Sequence, residues 1–91
     1  MPPGDPGLVP ALNNLGAAWL QQGQASAAEP LFRRSMAIAE KSLGPDDPAT
    51  AASMAGLAAV YQARARYAEA LEIDERARDI RARHELQNPR R

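Results

Sequence analysis

The sequence has no cysteine, no net charge and no long apolar run, and each absence excludes a class of protein. Without cysteine there is no disulfide and no thiolate metal site. Eleven basic residues balance eleven acidic ones. This balance argues against nucleic acid or an anionic membrane as the main partner, since both attract a basic excess. No apolar run approaches the roughly 18 residues of a transmembrane helix.

Large apolar side chains are also few. Twenty of the 41 apolar residues are alanine, which leaves 21 larger ones in a chain of 91 residues. Such a chain forms at most one domain, and its core is too small for a deep catalytic pocket. Residues 1–4 (MPPG) lack the basic and apolar stretches of a signal peptide, and we expect a cytoplasmic protein. The many alanines, with ten arginines among the eleven basic residues, indicate a GC-rich bacterial genome.

What the sequence does contain is an internal repeat. When it is displaced by 42 residues, Leu15 aligns with Leu57 and Ile38 aligns with Ile80, and prolines and alanines match around them. A period of this length indicates a solenoid of stacked structural units.

In the first repeat, an apolar stripe predicts a helix that ends near Gln22, where Gly23 suits the stop. Pro10 either begins this helix or kinks it. Ser26 and Glu29 have the spacing of a capping box at the start of a second helix. The residues expected inside are Leu12, Leu15, Gly16, Trp19 and Leu20 in the first helix, and Ala28, Leu31, Phe32, Ser35, Ile38 and Ala39 in the second.

In the second repeat, Asp47 and Pro48 predict the cap and first residue of a third helix, over about 48–64. A fourth helix is predicted from about Tyr67 to Leu86. Its inward residues are Ala70, Leu71, Ile73, Ala77 and Ile80, and its outer face pairs Glu72 with Arg76, Asp74 with Arg78 and Asp79 with Arg83. No segment alternates with a period of two, so we predict no strand and an all-α fold.

Five segments carry a family resemblance: ALNNLG at 11–16, QG at 22–23, AEPLF at 28–32, LGPDDP at 43–48 and RYAEA at 66–70. Together they resemble the tetratricopeptide repeat in its 42-residue, kinesin-light-chain-like form. The resemblance implies one domain over 1–91, made of two helix-turn-helix repeats in a short right-handed α-solenoid. Repeat 1 spans about 5–44, repeat 2 spans about 47–86, and a tail follows over 87–91.

The resemblance also implies a function. The first helix of each repeat lines a concave surface, the groove face, which binds a protein or peptide partner. We therefore expect a non-enzymatic interaction module without cofactor or metal. The residues assigned to the groove face are Asn13, Asn14, Ala17, Leu20, Gln21, Gln24, Ala55, Ala59, Gln62, Ala63 and Arg66.

One departure from the family pattern concerns the last helix. The family places an aromatic residue in the second helix of each repeat, which is Phe32 in repeat 1, but the equivalent position in repeat 2 is Asp74. A charge there predicts a terminal cap that faces water. The alternative is that Asn88 and Pro89 begin a third repeat.

Residues that could carry chemistry have simpler interpretations. His84 lacks a nucleophile and an orienting group, so we interpret it as a solvated side chain near a helix end. Asp46 and Asp47 lack a third metal ligand, so we interpret them as a linker acid and a helix cap. We expect Trp19 in the core rather than at a binding site.

Two further expectations concern packing and assembly. Gly16 and Gly56 are predicted to be sites of close helix packing. The first helix carries more apolar residues than one internal contact requires, which predicts an alternative function as a self-assembly element that forms a homodimer. The apolar residues concentrated there are Leu8, Val9, Leu12, Trp19 and Leu20.

Overall fold

A computed structural model describes residues 4–87, and within that range the chain forms four α-helices and no strand. The helices are α1 (Leu8–Gln21), α2 (Ala25–Ser42), α3 (Pro48–Ala63) and α4 (Tyr67–Gln87). Each helix packs on the next one along the chain, and α1 also contacts α3. The prediction of an all-α fold, with two helix pairs in a short α-solenoid, is confirmed.

Glycines with positive φ end the first two helices. Gly23 has φ +76°, and the amide of Gln24 beyond it donates to the Trp19 carbonyl oxygen at 2.8 Å. Gly44 has φ +106°, and its amide donates to the Ala39 carbonyl oxygen at 3.0 Å. Glycine suits this left-handed backbone because it has no Cβ. The predicted stop at Gly23 is confirmed.

The predicted start of α3 is also confirmed. The Asp47 carboxylate accepts a hydrogen bond from the Ala49 amide at 2.8 Å, and Pro48 takes the first helical position. α1 begins at Leu8, two residues before Pro10. Pro10 therefore lies in the first turn, where a missing N–H leaves no helical hydrogen bond unmade.

The capping box predicted from Ser26 and Glu29 is wrong. α2 begins at the residue before Ser26, and its cap residue Gln24 makes no side-chain hydrogen bond to the helix. The carboxylate of Glu29 is paired with Arg33 and Arg64 instead. Hydrogen bonds between ionised partners are stronger than a bond to a backbone amide, so these guanidinium groups hold the carboxylate.

The centre of the core is α3. Met54, Leu57 and Val60 are at most 1% exposed, and they cluster with Phe32 of α2 and Ile73 of α4. A smaller cluster joins α1 to α2 through Val9, Leu12, Ile38 and Ala39. Burial is greatest in α3 because this helix contacts all three of the others.

Three apolar side chains predicted to face inward are exposed. Leu15 and Trp19 of α1 are 50% and 36% exposed, and Leu71 of α4 is 60% exposed. α1 and α4 are the end helices, and each has a side on which no helix of residues 4–87 packs. The predicted core role of Trp19 is therefore wrong, although its counterpart in the second repeat, Tyr61, is buried.

Two glycines make room for one aromatic ring. The Phe32 ring lies against Gly16 of α1 and Gly56 of α3. A Cβ atom at Gly16 would be 2.8 Å from the ring, and one at Gly56 would be closer still. Such distances are too short for two carbon atoms, so both positions require glycine while the ring stays in place. The predicted close packing at Gly16 and Gly56 is confirmed.

The outer surface of α4 is charged. Two of its three predicted ion pairs form, Asp74–Arg78 and Asp79–Arg83, both at 2.9 Å. The third, Glu72–Arg76, is not among the ion pairs of residues 4–87, and Arg76 lies 3.8 Å from Glu40 instead. Exposed pairs of this kind contribute little to stability.

Asp74, which stands where the family has an aromatic residue, lies on this outer surface. Its side chain is 30% exposed. This partial exposure agrees with the terminal-cap interpretation of α4. The alternative start of a third repeat, at Asn88 and Pro89, falls outside the described residues.

Gly56→Ala is expected to lower the free energy of unfolding by about 1–3 kcal/mol, because the added methyl group must displace the buried Phe32 ring. The loss is expected although alanine favours a helix over glycine by about 1 kcal/mol. In a Phe32→Leu background the same change should cost little, since the smaller side chain leaves space. Urea denaturation of the four variants measures both effects. Equal losses in the two backgrounds would show that the ring does not set the helix spacing.

Candidate partner-binding groove

The groove face predicted from the sequence runs along α1 and α3, which contact each other through Asn13 and Ser53. Its exposed residues are Asn14, Ala17, Gln21, Gln24, Gln62 and Ala63, and its half-buried residues are Asn13, Leu20, Ala55, Ala59 and Arg66. Leu20 also packs against the main core cluster. It therefore belongs partly to the core.

Small and amide side chains dominate this surface. Four of its residues are alanine, at positions 17, 55, 59 and 63, and these leave space above the helices. Carboxamides stand among them at Asn14, Gln21, Gln24 and Gln62. A carboxamide offers both a hydrogen-bond donor and an acceptor, as a peptide group does. The surface can therefore pair with an extended backbone.

Asn13 is fixed by two buried hydroxyl groups. Ser35 Oγ donates to Asn13 Oδ1 at 2.7 Å, and Ser53 Oγ lies 3.2 Å from the same oxygen. The two hydroxyl oxygens are 2.8 Å apart, and both serines are fully buried. Leaving such groups unpaired would cost about 1–3 kcal/mol each. Asn13 thus joins α1, α2 and α3.

The contacts by which Asn13 joins three helices were not predicted from the sequence. A signal was present, because Ser35 was predicted to face inward and a buried hydroxyl needs a partner. Only the fold identifies that partner, since Asn13 lies 22 residues from Ser35 along the chain.

A second polar network surrounds Glu29 at the end of α3. Arg64 Nη1 donates to one carboxylate oxygen of Glu29 at 2.8 Å, and Arg33 Nε donates to the other at 3.0 Å. The second guanidinium arm of Arg33 donates to the Tyr61 hydroxyl at 2.6 Å. This network ties α2 to α3. The Glu29–Arg33 pair has the i,i+4 spacing of a helical ion pair, but the contact with Arg64 could not be predicted from the sequence, because Arg64 is 35 residues from Glu29.

Arg66 connects the groove face to this network. Its guanidinium carbon lies 4.6 Å from the centre of the Tyr61 ring, a cation–π distance. Its Nη2 atom donates to the Glu69 carboxylate at 2.6 Å, and its Nη1 atom lies 3.6 Å from Glu29. The charge of Arg66 is therefore already balanced within the chain.

Glu29 is ionised in the folded protein. Burial of its carboxyl group would by itself raise the pKa of Glu29, but the hydrogen bonds and positive charges of Arg33 and Arg64 outweigh burial. The pKa of Glu29 is consequently held below its ordinary value of 4.5. The network therefore stabilises the fold at neutral pH.

The other candidate residues have structural roles. Asp47 caps α3, and Asp46 lies 3.6 Å from Arg83. His84 is exposed and lines an open cleft of about 330 Å³, together with Pro48, Arg81, Ala82 and Glu85.

Residues 4–87 contain no group of three histidine, cysteine, aspartate or glutamate side chains placed to hold a metal ion. In the same range, no helix combines the length and the apolar character that a membrane crossing requires.

Comparison with known proteins shows which family has this helical architecture. The sequence profile described as Tetratricopeptide repeat matches residues 8–83, which include nearly all of the four helices. The chain belongs to the tetratricopeptide-repeat family. It is also 40% identical, over 63 residues, to Protein KINESIN LIGHT CHAIN-RELATED 2 of Arabidopsis thaliana. That match covers 69% of this chain but only 10% of the relative, so the chain spans about a tenth of that protein's length.

Family membership bears on function at a general level. Tetratricopeptide repeats mediate protein–protein interaction. The family match and the similarity to a kinesin light chain-related protein agree with the repeat form inferred from the sequence. The predicted resemblance is thus confirmed.

Glu29→Gln is expected to lower the free energy of unfolding at pH 7 by about 1–3 kcal/mol, because a neutral amide pairs less well with two guanidinium groups. Because the pKa of Glu29 is lower in the folded protein than in the unfolded chain, its charge stabilises the fold at pH values above 4.5. This stabilisation is lost as the pH falls through the pKa of the folded state. The difference from the wild type should therefore shrink at about pH 3. Urea denaturation at both pH values measures it.

Glu69→Gln is the control for this prediction. Glu69 also pairs with Arg66, but its side chain is 50% exposed, so its removal should change stability little at either pH. A loss in Glu29→Gln that is the same at both pH values would contradict the assigned role of the Glu29 charge.

Proposed function

We propose that the chain binds an extended segment of a partner protein along the groove face of α1 and α3. The observation that carries this proposal is the composition of that face. Exposed carboxamides and small side chains occupy it, whereas the larger apolar residues of α3, such as Met54 and Leu57, pack in the core. This arrangement is suited to hydrogen bonding with a peptide backbone, with room left for partner side chains.

Two residues of the face are held in place by contacts within the chain, which supports the proposal. Asn13 is held by Ser35 and Ser53, and Arg66 is held by Glu69 and the Tyr61 ring. A surface that is already ordered loses little conformational freedom when it binds, so less of the binding energy is spent on ordering it.

The charge of the face supports a particular class of partner segment. Arg66 is its one ionisable residue, and this charge is balanced by Glu69. The face offers little to attract a strongly charged partner. We therefore propose that recognition rests on backbone hydrogen bonds and shape, and that the bound segment is largely neutral.

Ala17→Glu tests the groove directly. Ala17 is exposed on α1, and a glutamate there would place bulk and an uncompensated charge in the path of the partner. For a peptide selected by the wild-type chain from a random library, we expect Ala17→Glu to weaken binding at least about tenfold, a change of about 1.4 kcal/mol. Isothermal titration calorimetry measures this loss, and circular dichroism checks that the helices remain.

Ala37→Glu is the matched control. Ala37 is equally an exposed alanine, but it lies on α2, outside the groove face. The same substitution there should leave the affinity unchanged. Equal loss in both variants, or no loss in Ala17→Glu, would contradict the groove assignment. Asn13 is less suitable for this test, because its replacement would also disturb Ser35 and Ser53.

A further inference from the structure

An apolar stripe runs along α1. Its first residue, Leu8, is half-buried against the small cluster between α1 and α2, and its other residues lie on a side that no other described helix covers. The stripe consists of Leu8, Ala11, Leu15, Ala18 and Trp19, and we call it the α1 stripe. Its first four residues are spaced by three, four and three, which is the spacing of a helix-pairing seam. Leu15 is 50% exposed and Trp19 is 36% exposed, although both are large apolar side chains.

In the second repeat, the equivalent stripe is covered by a helix. Displacement by 42 residues carries the α1 stripe onto Thr50, Ser53, Leu57, Val60 and Tyr61 of α3. All five of these residues are buried, none more than 6% exposed. Helix α2 packs on this side of α3, as the contacts of Ser53 with Ser35 and of Tyr61 with Arg33 show. The α1 stripe is therefore the equivalent surface on the first helix, and no helix of residues 4–87 covers it.

The charge around the stripe favours one kind of occupant. α1 contains no charged residue over its whole length, so a second uncharged helix can cover the stripe without burying an ion. The exposed side of α4 is a poorer fit. Its apolar residue Leu71 lies three residues from Asp74, which is paired with Arg78, and covering that side would desolvate both charges.

We infer that two copies of this chain pair through their α1 stripes, related by a two-fold axis. Fewer residues of α1 form this interface than the sequence predicted. Val9 and Leu12 are only 3% and 8% exposed because they pack against α2, and Leu20 packs on the main core cluster, so these three residues do not contribute. The groove face lies on a different side of α1, which leaves the groove open in the dimer.

Leu15→Glu tests the pairing by sedimentation velocity over a range of protein concentrations. The wild-type chain is expected to show a monomer–dimer equilibrium. Two-fold symmetry would bring the two introduced carboxylates close together in an apolar interface, so Leu15→Glu should weaken association at least about 100-fold. Leu15 is half exposed in one chain, so the helical circular dichroism should be kept. If Leu15→Glu fails to fold, Ala18→Lys on the same stripe provides the test.

Leu71→Glu is the control, because it introduces the same charge at an exposed leucine on α4. The dimer should persist in this variant. A wild-type chain that stays monomeric at high micromolar concentration would overturn the inference, and so would a dimer that Leu71→Glu disrupts or that Leu15→Glu leaves intact. Failure of this test leaves the groove proposal standing, since Ala17 lies outside the stripe.

Discussion

The packing of the Phe32 ring between Gly16 and Gly56 is the contact on which the rest of the structure depends. The ring belongs to α2, and the two glycines belong to the helices on either side of it. Side chains at the two glycine positions would force the helices away from the ring. Because the backbones approach closely here, α1 and α3 come near enough for Asn13 to reach Ser53. One aromatic side chain thus sets the spacing of three helices.

Polar networks between α2 and its neighbouring helices then fix the orientation of the helices. Ser35 and Ser53 hold Asn13, while Arg33 and Arg64 hold Glu29. Within residues 4–87, every buried side-chain nitrogen and oxygen has a hydrogen-bond partner. Such networks add specificity to a small core that is rich in alanine, because alternative packings would leave buried polar groups unpaired. The relative placement of α1 and α3 along the proposed groove therefore depends on the contacts that both helices make with α2.

Local sequence signals predicted the helices well. Asp47 with Pro48 marked the start of α3, Gly23 marked the end of α1, and the 42-residue period showed which helices are equivalent. These signals work because capping and positive φ depend on neighbouring residues. The positions of Leu15, Trp19 and Leu71 were predicted wrongly because burial depends on whether another helix packs there. Periodicity shows that a helix has an apolar side, but it does not show whether another helix covers that side.

The candidate site, like the fold, could be predicted from the sequence only in part. The groove residues could be assigned from the repeat pattern, and their partner-binding role remains a proposal. The contacts of Arg64 with Glu29 and of Ser35 and Ser53 with Asn13 could not be assigned, because they join residues 22 to 40 positions apart. A bacterial origin, a cytoplasmic location and the repeat boundaries stay predictions from sequence.

The contacts of α2 with α3, through Phe32, Ser35 and Glu29, are expected to make the two helix pairs one cooperative unit. Native-state hydrogen exchange of the wild-type chain at increasing urea concentration tests this coupling most directly. We expect the slowest amides of α2 and α3 to exchange together, with one opening free energy that matches global unfolding. If the amides of α1 and α2 opened with a different free energy from those of α3 and α4, the two helix pairs would be independent, and the contacts between α2 and α3 would not couple them.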